Sequence, residues 1–242
     1  PKRVLMVSHN LNLEGAPLFL IDLAQHYVSL GVKLTLLSPS DGPLRARFAA
    51  VGASIQLVEI GEILAATDKS EFESALSALT KQCDFSAYDL VICNTFTTFW
   101  AVHAAKAAHR QVLLYVHEST TPASFYLGRM HPEVVAQVNT AFRLADCVSF
   151  TTSSTRYYHT DYGLPANHRH TPGWIDVGRI DKWREHNTRN DLRAKFDLNP
   201  DELLVTNVGT VCDRKGQHIF VRAVDLLWRR YPDLAARSRF VM

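Results

Sequence analysis

The chain has 242 residues, enough for one large domain or two small ones. Hydrophobic residues make up 47% and charged residues 21% of it, a globular composition that excludes a disordered chain. A net charge of +2, from 26 basic and 24 acidic residues, gives no reason to propose nucleic acid as a partner, and no apolar run approaches the ~18 residues that span a bilayer.

Short apolar runs alternate with helical periodicity from the start. Residues 4–7 read as a first strand. With the basic Pro1-Lys2-Arg3 before it, the run is too short for a signal peptide, and Ser8-His9-Asn10 ends it. Residues 16–30 carry Leu20, Leu23, Ala24 and Tyr27 at helical spacing, with Gly31 as C-cap. Next come a strand over 32–37, a helix over 44–51 ended by Gly52, and a strand over 55–58. A helix over 69–83, a strand over 90–93, a helix over 97–108 and a strand over 112–116 follow. Then come a helix over 132–145, a strand over 147–150, and a helix over 155–162 stopped by Gly163 and Pro165. Repeated β-then-α units predict a doubly wound, mostly parallel α/β sheet of Rossmann-like class, covered on both faces.

Residues 172–201 change character. From Pro172-Gly173-Trp174 the stretch turns charged and reads as a linker with a short helix over 191–196. A strand over 203–208, a polar turn after Gly209, a helix over 217–230, Pro232 and a last strand start then renew the βα order. The expected organisation is a domain over 1–171, a hinge over 172–201 and the start of a second domain over 202–242. The missing initiator Met and the end at Arg239-Phe240-Val241-Met242 suggest a fragment of a longer protein.

Cys83, Cys93, Cys147 and Cys212 form no CxxC pair and read as reduced, buried thiols of a cytosolic protein. No GxG, GK[ST], GxSxG or HExxH occurs, which excludes the dinucleotide fingerprint, the P-loop, the nucleophile elbow and the zinc-protease helix. His168 and His170 would share one face of a strand. With no third ligand in view, a packed or surface pair outweighs a metal site. Arg222, Arg229, Arg230, Arg237 and Arg239 read as a solvated face, with contact to a membrane surface or an acidic carrier as the alternative.

Ligands of open α/β sheets bind beyond the carboxyl ends of the strands. Three loops there carry chemistry. After the first strand, Glu14-Gly15-Ala16-Pro17 opens a helix whose first N–H groups could hold a phosphate or an acceptor hydroxyl; an ordinary turn glycine is the other reading. After the fifth strand, His117-Glu118-Ser119 offers acid/base or hydrogen-bonding groups, or merely caps the strand. In the second domain, Arg214 and Lys215 stand just before a helix N-terminus, where cations are unfavourable unless an anion binds; a solvated pair at a turn stays open.

These loops, in this order, resemble glycosyltransferase family 4, whose members have the GT-B fold of two facing Rossmann-like domains. Three landmarks carry the resemblance: Glu14-Gly15-Ala16 after the first strand, Tyr115-Val116-His117-Glu118-Ser119, and Val208-Gly209-Thr210-Val211-Cys212-Asp213-Arg214-Lys215-Gly216-Gln217. Pro172-Gly173-Trp174-Ile175-Asp176 sits where the family has its hinge segment.

The resemblance implies transfer of a sugar from a nucleotide diphosphate sugar to an acceptor hydroxyl, with retention and with no metal or other cofactor. The acceptor would be a sugar, a lipid-linked sugar or a polysaccharide. By carry-over, Lys215 holds the donor diphosphate, Gly15 brings backbone N–H groups to the donor phosphate and acceptor, and His117 meets the donor sugar or acceptor. Glu14, Glu118 and Ser119 fall on the acceptor side. Thr210 stands where many members have Arg, which rests phosphate binding more on Lys215 or Arg214. The family's two donor-site glutamates would lie beyond Met242, so the 242 residues alone are expected to be inactive. The expected location is cytoplasmic, with peripheral contact at the inner membrane face as a variant. A sugar-nucleotide epimerase of related fold and a non-catalytic sugar- or partner-binding domain are the competing readings.

Overall fold

Strand β1 (Arg3–Val7) sends its side chains alternately into two cores. Leu5 and Val7 enter one, Val4 and Met6 the other. The same alternation holds in β4 (Leu90–Asn94), with Val91 and Cys93 against Ile92, and in β5 (Gln111–Val116), with Val112, Leu114 and Val116 against Tyr115. Burial on both faces explains why these strands are continuously apolar. The computed structural model describes residues 2–159, 168–209 and 211–242; the Arg214 side chain is also outside the described set.

With β2 (Lys33–Ser38), β3 (Ser54–Leu57), β6 (Cys147–Phe150) and β7 (Arg169–His170), the strands form a parallel sheet in the order β3-β2-β1-β4-β5-β6-β7. Helices α1 (Gly15–Ser29) and α2 (Arg45–Val51) cover one face through Leu20, Ile21 and Phe48. Helices α3 (Gly61–Ala65), α4 (Lys69–Gln82), α5 (Phe99–Ala107) and α7 (Pro132–Leu144) cover the other through Ile63, Phe72, Trp100 and Phe142. The chain winds outward in both directions from β1 and β4, so the crevice for a ligand lies beyond their carboxyl ends.

Among the helices that escaped the periodicity reading are α3 and α6 (Pro122–Phe125), since one turn carries too little pattern. Helix α8 (Ser153–Tyr157) starts earlier than expected because Thr152 caps it, accepting from Thr155 N. Tyr162, Gly163 and Pro165, expected to end that helix, lie outside the described residues, as does Thr210.

The chain divides into two units, Pro1–Trp174 and Ile175–Met242. The second begins with α9 (Val177–Glu185) and α10 (Arg189–Lys195), both in the stretch expected to be a linker. Their caps are Asp176 and Thr188. Strands β8 (Leu203–Thr206) and β9 (Ser238–Val241) pair in parallel, with α11 (Gln217–Arg230) and α12 (Pro232–Ala236) between them. Strand β8 stops two residues short of the expectation because its partner ends opposite Thr206.

Two expectations are corrected. All four cysteines are free, but only Cys83 and Cys93 are buried; Cys147 is half-buried and Cys212 exposed in the polar turn after β8. Arg239 is no solvated face residue: it pairs with Glu202 at 2.9 Å and donates to the Phe196 and Asp197 carbonyls. No helix among the described residues is long and apolar enough to cross a membrane.

Candidate active site

Period-2 alternation puts His117, two residues after Tyr115, on the α1 side of the sheet. There its ring meets Phe19 of α1 edge-on, with centroids 4.8 Å apart. The buried Asn94, at the end of β4, links the two elements. Its Nδ2 donates to the Ala16 carbonyl at 2.8 Å, so its Oδ1 faces His117 and accepts from Nε2, also at 2.8 Å. That bond fixes the tautomer: Nε2 carries the proton, and Nδ1 is left as an acceptor with no partner among the described residues. Burial, and then the charge of nearby His9, push the His117 pKa down to about 4. The imidazole is therefore neutral near pH 7, able to accept a hydrogen bond or a proton at Nδ1.

The first loop is held against this centre. Gly42 packs so closely on it that an added Cβ would stand 2.5 Å from the Leu11 carbonyl oxygen. Leu44 N also donates to that oxygen. Glu14, the N-cap residue of α1, does not cap the helix. Its carboxylate instead takes His9 Nε2 at 3.2 Å and Asn10 Nδ2 at 3.4 Å. Gly15 needs no special φ, and a Cβ there would meet nothing within 4 Å. The start of α1 is thus open to an approaching group, with its first N–H groups lacking a side-chain cap.

Glu118 and Ser119 are engaged within the fold. Glu118 Oε2 accepts from His117 N at 3.1 Å and Phe96 N at 3.5 Å, which ties the loops after β4 and β5 together. Ser119 Oγ lies 3.2 Å from Thr155 Oγ1, beside the α8 cap. Behind them the fully buried His159 places Nε2 3.1 Å from the Glu118 carbonyl oxygen and stacks on Phe142 and Phe150. So Glu14, Gly15, His117, Glu118 and Ser119 meet at one end of the sheet in the first unit.

Arg214 and Lys215 belong to the second unit. Asp213–Lys215 forms a 3-10 turn, and Gly216 follows with φ +70°, the left-handed turn that starts α11. The exposed Lys215 lays its stem 3.6 Å from the position a Cβ on Gly209 would take. Among the described residues, no cluster of three or more His, Cys, Asp or Glu could hold a metal ion; β7 has only two residues, and His168 precedes it.

Sequence reasoning missed Asn94, Phe19 and Trp174. A signal for Asn94 was present: a polar amide closing the apolar run Leu90-Val91-Ile92-Cys93 at a carboxyl strand end. Phe19 was hidden among the apolar residues of α1, and Trp174 in the supposed linker.

No curated protein matches the chain in sequence. Solved structures do match in fold. The crystal structure of Anabaena Alr3699/HepE in complex with UDP and glucose superposes with TM-score 0.67 at 17% identity, over 98% of this chain and 60% of that one. An E. coli structure described as trehalose-6-phosphate bound with UDP-2-fluoro glucose gives 0.68 at 12%, over 99% and 64%. WaaG, a glycosyltransferase involved in lipopolysaccharide biosynthesis, gives 0.66 at 12%, over 98% and 62%. The chain therefore spans under two thirds of each, and at these identities the likeness establishes the GT-B, Rossmann-like fold. The family model of Glycosyltransferase Family 4 matches residues 13–179, from the Glu14–Gly15 loop through β7 into α9. Since that match takes in most of the chain and every first-unit site residue, this chain belongs to glycosyltransferase family 4.

Proposed function

We propose that the intact protein transfers a sugar from a nucleotide diphosphate sugar to an acceptor hydroxyl, with retention at the anomeric carbon and without a metal. Family membership and a fold shared with structures that hold UDP support this reading. The observation that carries it is the bridge from Ala16 through Asn94 to His117, which sets a neutral imidazole at the topological switch point.

The bond from the anomeric carbon to the diphosphate breaks with its electron pair leaving on the diphosphate. The acceptor oxygen forms the new bond on the same face and gives up its proton to the departing diphosphate. Lys215, with Arg214 beside it, binds the leaving diphosphate, whose charge grows in the transition state. His117 Nδ1 accepts from a hydroxyl of donor sugar or acceptor and holds it in place. Gly15 leaves room for a substrate oxygen at the first N–H groups of α1. The 242 residues alone, spanning 60% of the HepE chain, are expected to give no turnover.

The test is product analysis of the intact protein with UDP-, ADP- and GDP-sugars, with and without acceptor sugars. Transfer that needs an acceptor is the expected result. A new sugar nucleotide formed without acceptor would identify an epimerase instead. Lys215→Ala should lower kcat/KM by about 10²–10³-fold, the usual loss when a group that stabilises transition-state charge is removed, and His117→Ala by about tenfold, the loss of one hydrogen bond to a bound hydroxyl. Unchanged rates in both variants would refute these roles.

A further inference from the structure

We propose that Phe19 and Trp174 form an aromatic wall that seats a neutral sugar ring, the acceptor's, beside His117. This rests on the glycosyl-transfer reading above and narrows its acceptor class.

The Phe19 and Trp174 rings have centroids 4.3 Å apart, tilted by 37°. Phe19 also meets His117 at 4.8 Å and Tyr115 at 5.1 Å, both edge-on. Tyr115 is buried, so one end of this aromatic row is anchored in the core. The other end is not: Trp174 is 41% exposed. An indole braced by a phenyl ring offers a rigid apolar plane with little entropy left to lose on binding. Core packing accounts for Phe19, but it does not account for an indole left 41% exposed against it.

Glu14 supplies the polar part of the site. Its side chain is 44% exposed, and His9 and Asn10 orient the carboxylate. His9 lies near enough to His117 for its charge to act on that ring. A carboxylate accepts hydrogen bonds from hydroxyls and repels phosphate oxygens. A ligand that suits both features has a C–H face for the aromatic plane and a rim of hydroxyl donors, which describes an uncharged pyranose. A nucleobase has the plane but lacks the rim, and it arrives with phosphates that Glu14 opposes.

The experiment measures saturation-transfer NMR on the intact protein with methyl α-glucoside, methyl α-galactoside, methyl α-mannoside and glucose 6-phosphate. Acceptor and donor KM values follow for the glycoside that binds best. At least one glycoside should bind more tightly than the phosphate. Trp174→Ala and Phe19→Ala should each weaken it about tenfold, as loss of an apolar pocket wall does. Trp174→Phe should recover most of the loss, and donor KM should stay unchanged. Binding of none of the glycosides, tighter binding of glucose 6-phosphate, or unaltered binding in both alanine variants would overturn the proposal. So would acceptor and donor KM rising together, which marks a structural role for Trp174. If no donor is turned over at all, the transferase reading fails while the NMR arms still decide the wall.

Discussion

In the first unit, β1 and β4 are buried on both faces and α5 is buried along most of its length. In the second, Leu203, Leu204 and Val205 of β8 remain 39–43% exposed, and α11 buries only Gln217. Leu198 and Ala235 are its buried apolar residues, and polar contacts supplement them. Arg239 joins Glu202 to the end of α10, and Arg193 donates to the carbonyls of Asn199, Pro200 and Glu202. Exposed bonds of this kind contribute about 1 kcal/mol each or less, whereas fully burying one large apolar side chain contributes about 1.5–3 kcal/mol. The first unit can therefore hold the Ala16–Asn94–His117 geometry rigidly. The second, within these residues, shapes the Asp213–Gly216 turn through local backbone conformation.

The sharpest way to break this contrast is to cut one tryptophan in each unit of the 242-residue chain. Trp100 on α5 is fully buried in the core, while Trp228 on α11 is 49% exposed. Trp100→Ala should lower unfolding free energy by about 3–5 kcal/mol, and Trp228→Ala by about 0.5 kcal/mol. Urea titrations measure both. Equal losses would mean that the second unit has a core of its own.

His117 gives the next largest effect, and it is specific to the first unit. Its pKa falls from 6.5 to about 4 on folding, so between these values the unfolded chain binds more protons at this group. The neutral ring's contribution is fully present above pH 6.5, is lost as pH falls towards 4, and changes no further below. The loss across that window is about 3 kcal/mol. His103 and His159 are also depressed by burial, so the measured quantity is the difference between wild type and His117→Gln. Parallel stability–pH curves would remove the burial argument for His117.

Much of the fold was readable because periodicity reports burial. The apolar runs at 4–7, 90–93 and 112–116 fell in strands, and residues 217–230 matched α11. What failed was short or tertiary. Helices α3 and α6 are single turns, and α9 lies on a stretch with no apolar stripe deep enough to bury any residue. The site divided in the same way. His117 and Glu14–Gly15 stood out because special residue types followed strands. Asn94 and Phe19 matter through what they touch, 23 and 98 residues away at His117, and no local pattern encodes those distances. Glu118 and Ser119 drew attention as polar loop residues, yet they spend hydrogen bonds on Phe96 N, His117 N and Thr155.

The second unit's reliance on backbone conformation is tested at Gly216. Its φ of +70° is one an L residue adopts at a cost, while a Cβ there would meet nothing nearer than Ile219 Cδ1 at 3.9 Å. Gly216→Ala should therefore destabilise the turn by about 1–2 kcal/mol through conformation alone. Gly216→Asn should recover part of that, because Asn visits the left-handed region more readily. Equal costs for Ala and Asn would point to crowding instead.

The smallest effect on stability separates what the fold needs from what a ligand needs. Gly15 sits in the first turn of α1 without a positive φ, and its Cβ space is empty. Gly15→Ala should thus stabilise the first unit by about 0.4–1 kcal/mol, by restricting the unfolded chain. On the proposed role of Gly15, the same methyl group would crowd a substrate oxygen at the first N–H groups of α1, and kcat/KM should fall in the intact protein by about tenfold, the factor that 1.4 kcal/mol represents. A variant that melts higher and transfers more slowly would show that Gly15 serves the ligand, since a turn glycine required by the fold cannot be replaced with a gain in stability. A variant that melts higher and transfers at the wild-type rate would take the start of α1 out of the reacting centre. His117 and Asn94 would then be left as the first unit's contribution to the chemistry.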